Sequence, residues 1–235
     1  MRIIEKHEDN SMLILAFGEL KSYLDKAKKL EKRPPISQKE KYLIDIALSA
    51  NNITECLDQV YFSTELLSGY KQRKKSIMTR YDYIVFMVEN FYLRLTSTFD
   101  RVLRLTNLVF DIGLPERECK QSTIIQNSKI KTTPVATNLK KIEKIINSYR
   151  KTRNQIAHSE TYDGQTLGEE NLFDIRAFYL VRHEFKNDNK MQILMKLEID
   201  NYVKDKKVEL NEITRKLEKA VIELFESLTP FIEKK

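Results

Sequence analysis

Glycine and proline are scarce, with five of each among 235 residues. A many-stranded sheet needs many tight turns, and tight turns draw on those two residues, so their scarcity argues against that architecture and for long helices with few breaks. There are only two cysteines, Cys56 and Cys119, far apart in sequence. That spacing offers neither a disulfide nor a metal framework and fits a reducing cytoplasm, each thiol serving as a small buried apolar group. The three histidines, His7, His158 and His183, have no second His, Cys or clustered carboxylate at ligand spacing, so neither a metal nor a cofactor is expected. The phosphate loop, the dinucleotide fingerprint and the Gly-x-Ser-x-Gly elbow are all missing, as is an aromatic signature for reading RNA bases. Long apolar runs are missing too: Ser11 to Gly18 is too short to span a bilayer. Met1-Arg2-Ile3-Ile4 leads at once into Glu5, Lys6, Glu8 and Asp9, which a secretory signal does not tolerate. A soluble, cytoplasmic protein without membrane association is expected.

What the chain has in quantity is charge and helical periodicity. Forty-one basic residues against 34 acidic ones leave a net charge of +7. This permits an anionic partner such as RNA, although mixed charge at this density equally describes solvated helix faces. A first helix is expected from Ser11 to Leu30, burying Leu13, Phe17, Leu20, Leu24 and Ala27, and ended by Arg33-Pro34-Pro35. Ser37-Gln38-Lys39-Glu40 reads as a capping box opening a second helix, with Leu43, Ile46, Ala50, Ile53, Leu57, Val60, Thr64 and Leu67 inward and a stop at Gly69. Arg73, Lys74 and Lys75 form the densest basic run, between helices, where they are candidates for RNA phosphates or simply a solvated linker.

A third helix runs from Tyr81 to Asp111 with Ile84, Val88, Phe91, Leu95, Phe99, Val102 and Val109 inward, and Gly113-Leu114-Pro115 ends it. Asp100 and Arg104 stand at i,i+4 along it. After a weakly patterned stretch, Pro134 opens a fourth long helix, and Gly164 and Gly168 mark a loop over residues 159–170. Leu172, Ile175, Phe178 and Phe185 give another amphipathic stretch, broken at Asn187-Asp188-Asn189. Residues 191–202 alternate as a strand would but have a helical composition, and we assign them as helix. A last helix, with Leu210, Ile213, Leu217, Val221, Leu224 and Leu228 inward, is expected to end near Pro230.

The fourth helix carries the stretch of most interest, Tyr149 to His158. Ile142, Ile145, Ile146, Tyr149, Arg153 and Ile156 recur at the spacing of one helical face. Arg153 thus continues an apolar stripe, and a guanidinium there is costly unless an anion, a cavity or a partner surface receives it. Asn154 and His158 share a face, whereas Arg153 and His158 stand about 140° apart on an ideal helix. Arg153 and His158 converge only if the helix bends or ends there, or if Arg153 uses its reach.

Arg153-Asn154 followed by His158, at the end of a helix in an all-helical chain, resembles the Arg-x4-6-His motif of the HEPN superfamily. The resemblance implies an all-α, up-and-down antiparallel helical bundle with additional C-terminal helices, forming one domain over residues 1–235. It also implies a metal-independent ribonuclease acting as a homodimer through the motif face, with RNA as substrate and an antitoxin or defence-system protein as regulator. Other HEPN proteins bind RNA, nucleotides or protein partners without catalysis. By the same resemblance Asp100 and Arg101, on a neighbouring helix, are candidates to support the motif; a solvated pair is the plainer reading. Where HEPN toxins paired with nucleotidyltransferase antitoxins often carry Tyr two residues after the His, this chain has Glu160.

Cleaving RNA without a metal requires a base for the ribose 2′-OH proton, an acid for the departing 5′ oxygen and positive charge at the phosphorus. Histidine titrates near neutrality, and arginine offers a fork of donors to phosphate oxygens. His158 is therefore assigned to proton transfer, Arg153 to charge stabilisation and Asn154 to orientation. On residue chemistry alone the plainer reading is a buried ion pair at Arg153 and a helix-terminal packing role for His158.

Overall fold

The computed structural model describes residues 2–30, 33–71, 77–158, 170–182, 184–185 and 187–235, with the backbone alone at 158 and 170–173. The described residues form eight α-helices and no strand: α1 (Ile3–Lys6), α2 (Ser11–Leu30), α3 (Gln38–Leu66), α4 (Arg80–Val109), α5 (Gln121–Ile125), α6 (Pro134–His158), α7 (Glu170–Val181) and α8 (Asn189–Glu233), with a 3-10 turn at Glu116–Glu118. The long helices expected from the scarce glycine and proline, and the all-α helical bundle that the resemblance implied, are observed among the described residues. Among the described residues no helix is long and apolar enough to cross a membrane.

The chain divides into two compact units. Unit 1 holds residues 1–58, 95–147 and 216–235, and unit 2 holds residues 59–94 and 148–215. In unit 1, α3 and α4 run antiparallel, with Arg101 donating to the Asn52 carbonyl at 3.2 Å and Cys56 Sγ meeting Ser97 Oγ at 3.2 Å. In unit 2 the same antiparallel sense is set by Asn90 to Ser63 (2.7 Å) and by the Tyr83 hydroxyl to the Leu66 carbonyl (2.8 Å).

The periodic residues of α3, α4 and the second half of α8 are buried as expected: Ile46, Ile53, Leu57, Ile84, Phe91, Leu95, Leu217 and Leu224 are all fully enclosed. The α2 expectation is only partly met. Met12, Leu13 and Ala16 are buried, but Leu24 is 56% exposed, while Phe17, Leu20 and Ala27 are half-buried. Residues 191–202 are helical, and they belong to one 45-residue helix that continues through residue 210 and past Pro230. Pro230 removes the hydrogen bond that an N–H there would give to the Glu226 carbonyl, yet the helix runs on to Glu233. Period-two alternation cannot lie on one helical face, so Ile199 is buried while Ile193 and Leu197 are exposed. Asp188 caps this helix through the Met191 N–H at 3.0 Å.

At the start of α3 the capping box is formed. Glu40 accepts from the Ser37 N–H at 2.8 Å, and Ser37 Oγ accepts from the Glu40 N–H at 3.1 Å. Lys26 donates to the same carboxylate at 2.7 Å. The hydrogen bond from Lys26, then those from Ser37, lower the Glu40 pKa from 4.5 to about 2. A depressed carboxylate stabilises the fold above its unfolded pKa and loses that contribution as pH falls through the folded one. The melting temperature of Glu40→Gln is therefore expected to lie below wild type at neutral pH, and the gap to close between pH 4.5 and about 2. A gap constant across that window would contradict the assignment.

The end of α4 differs slightly from expectation. The helix stops at Val109, and Asp111 (φ 48°) and then Gly113 (φ 77°) take left-handed backbone. The Ile112 N–H closes back on the Asn107 carbonyl at 3.1 Å. The short α1 was not expected from sequence. It is held by Asp58, which accepts from the Ile3 N–H at 2.9 Å, and by Glu218, which receives both Lys6 and His7.

Candidate functional site

The motif lies on the last turns of α6, in unit 2. Ile142 and Ile146 are buried in unit 1, and further along the same face Tyr149, Arg153 and Ile156 are half-buried. Thr152 is buried, whereas Arg150, Lys151 and Asn154 are exposed. The helix continues unbroken to His158, its last residue. With the helix unbroken through this stretch, Arg153 approaches the side of His158 only through its own reach. Arg153 Nη1 donates to Asn154 Oδ1 at 3.0 Å. That bond draws the guanidinium around the helix toward the azimuth of Asn154, and Asn154 lies about 40° from His158, four residues on. The side chain of His158 is outside the described residues.

Two aromatic rings and a buried lysine set the approach to these turns. Tyr149 stacks on Tyr92 of α4 with ring centroids 5.7 Å apart and planes at 28°. Lys206 of α8 stands 5.8 Å from the Tyr92 ring and donates to Glu209 at 2.9 Å. Its side chain is only 3% exposed, against 48% for Glu209. Burial, then Glu209, pushes the Tyr149 phenol above its ordinary pKa, and Lys206 pulls the other way. Arg80 of α4 pairs with Asp200 of α8, so α4 and α8 run in the same direction here.

Sequence reasoning missed Lys206 and Tyr92. Lys206 sits in Lys204-Asp205-Lys206-Lys207, which reads as a solvated charge run. No local signal separates one lysine of such a run from its neighbours. Lys206→Ala is expected to cost about 1–3 kcal/mol in urea denaturation. The larger loss of about 3–5 kcal/mol that follows an abandoned buried charge is not expected, because Glu209 reaches water. No measurable loss would show that the buried ammonium does not support the Tyr92–Tyr149 pair.

The other predicted residues are distributed as follows. Asp100 and Arg101 belong to unit 1, where Asp100 is exposed and Arg101 holds the Asn52 carbonyl. Arg104 pairs with Glu116 rather than following its i,i+4 spacing to Asp100; the 3-10 turn brings a carboxylate that no pattern within α4 could announce. Arg73, Lys74 and Lys75 lie outside the described residues, as do His183 and residues 159–169 of the expected loop; Glu170, placed in that loop, is the first residue of α7. Cys56 is buried as expected and Cys119 only half-buried, and neither is in a disulfide. Among the described residues no group of three or more His, Cys, Asp or Glu could hold a metal ion.

The family model described as "HEPN_Cthe2314:-like HEPN" matches residues 50–229, a span that takes in α4, α6 and nearly all of α8. No curated protein and no solved structure matches the chain.

Proposed function

Because the chain belongs to the HEPN_Cthe2314-like HEPN family, we propose that it is a metal-independent endoribonuclease acting in the cytoplasm, with Arg153, Asn154 and His158 as its catalytic residues. The observation that carries this reading is the Arg153–Asn154 hydrogen bond at 3.0 Å on the last turns of α6. It supports a guanidinium turned toward the side of the helix on which His158 stands.

In the proposed reaction a base takes the ribose 2′-OH proton, and the 2′ oxygen attacks the adjacent phosphorus. The bond to the 5′ oxygen breaks, that oxygen receives a proton, and a 2′,3′-cyclic phosphate remains. His158 transfers protons. Arg153 places its donors on the non-bridging oxygens as charge builds there, and Asn154 steers that fork. Two proton transfers need two groups, and one chain supplies one motif histidine, so a homodimer presenting both motifs is the working form. Exposed Leu180, Ile193, Leu194 and Leu197, all in unit 2, support an apolar partner surface on the unit that carries the motif. As a toxin or defence effector, such an enzyme would be restrained by a partner protein.

A second reading is a HEPN module that binds RNA, a nucleotide or a protein partner without cleaving. Exposed Arg150 and Lys151 beside Arg153 favour it equally. Incubating a mixed RNA pool with purified protein in excess EDTA, while recording oligomeric state, decides between the two. Chelator-resistant cleavage leaving cyclic phosphate ends supports the nuclease. A well-folded dimer that binds RNA with steep salt dependence but leaves it intact supports the binder.

A further inference from the structure

Unit 1 contains a cleft of about 270 Å³, remote in sequence from the motif and built mainly by α3, α4 and the connection after α4. Arg101 and Arg104, one turn apart on the same face of α4, both line it, together with Asn52 and Asn107. A guanidinium carries five N–H donors. The Asn52 carbonyl takes one from Arg101, and Arg104 already holds an anion, the carboxylate of Glu116. Glu116 is 69% exposed and stands on a single 3-10 turn, which makes it a replaceable ligand for Arg104.

The rest of the cleft is firmly built. Asn107 accepts from the Leu114 N–H at 3.1 Å and donates to the Leu114 carbonyl at 3.0 Å, pinning the connection that carries Glu116 against α4. Cys119, at the edge, has its thiol pushed up by burial, so it stays protonated and the cleft is suited to binding rather than covalent chemistry. Two guanidiniums line the cleft with the single carboxylate of Glu116, and Glu118 stands close enough to act on Cys119 at its edge. A monocarboxylate ligand would only exchange like for like with Glu116, whereas a dianion with three terminal oxygens gains by engaging both forks. The volume exceeds that of a bare phosphate, and Leu108 and Leu114 offer an apolar wall for an attached organic group.

We propose that this cleft is a binding site for a small phosphate monoester, with Arg101 and Arg104 holding the phosphate and Glu116 serving as the internal anion that the ligand displaces. The site operates independently of the RNA-cleaving motif.

Isothermal titration of the full chain with inorganic phosphate, glycerol 3-phosphate and acetate tests this. Arg101→Ala is expected to weaken glycerol 3-phosphate binding by about 10-fold or more. Glu116→Gln, an exposed change that leaves the core untouched, is expected to tighten it several-fold by removing the competing carboxylate. His158→Ala is expected to bind like wild type, which separates this site from the motif. The proposal is overturned if neither wild type nor Glu116→Gln binds saturably, if acetate binds as tightly as the phosphates, or if Glu116→Gln fails to tighten binding. Should Arg101→Ala not fold, the gain in Glu116→Gln and the preference for phosphate over acetate decide the matter.

Discussion

His158→Ala is expected to lower chelator-resistant RNA cleavage by about 10²–10⁴-fold, the range for losing a positioned general acid–base, while leaving the fold intact. His158 is the last residue of α6, so its removal disturbs no interior turn of the helix. Favourable placement of a histidine beside a helix C-terminus contributes only about 1 kcal/mol, too little to unfold a domain of ordinary stability. Arg153→Ala is expected to lower the rate by about 10²–10³-fold, as does removal of a donor to developing negative charge. Arg153→Lys should recover only part of this, because lysine restores the charge but not the fork. The two losses are not expected to add, since the proposed mechanism has both groups act in one step. Rates measured at matched protein concentration, with circular dichroism and sedimentation alongside, make the comparison. A folded, dimeric His158→Ala protein that cleaves at the wild-type rate would sink the nuclease assignment.

Phe91→Ala is expected to cost about 3–5 kcal/mol, the largest single loss of stability we anticipate. Phe91 is wholly enclosed within unit 2, and its ring meets Tyr92 edge-on at 5.4 Å. Truncation removes the transfer energy of a benzyl group and leaves a cavity that helices packed on several sides cannot fully close. The effect should also reach the candidate site, because Tyr92 is the ring on which Tyr149 stacks one turn before Arg153. Urea denaturation should show a lower midpoint with an unchanged slope. Phe91→Leu, which keeps most of the volume, should lose less. A loss for Phe91→Ala below about 1 kcal/mol would mean that the neighbourhood collapses into the space or that Phe91 is not packed as described.

The helical character and several cores could be read directly from the chain. On α3 and α4 every inward residue expected from spacing is enclosed, from Leu43 to Leu67 and from Ile84 to Val109. Local chemistry also sufficed for the Ser37–Glu40 box and for Pro134 at the start of α6. At the candidate site, the face carrying Tyr149 and Arg153 was legible for the same reason: three-and-four spacing is a property of one helix and needs no neighbour.

Other features were decided only when helices met. Leu24 has the same spacing as the buried Leu13, yet it is exposed. Lys206 looks like any lysine of a charge run, yet α8 carries it under Tyr92. Arg104 left its expected partner for Glu116, twelve residues on, because the turn after α4 folds back toward it. Arg153 was marked by sequence as misplaced, but its bond to Asn154 was not. Periodicity tells which side chains share a face. Which face is covered, and by which charge, depends on residues distant in the chain, and only the packed tertiary structure brings those together.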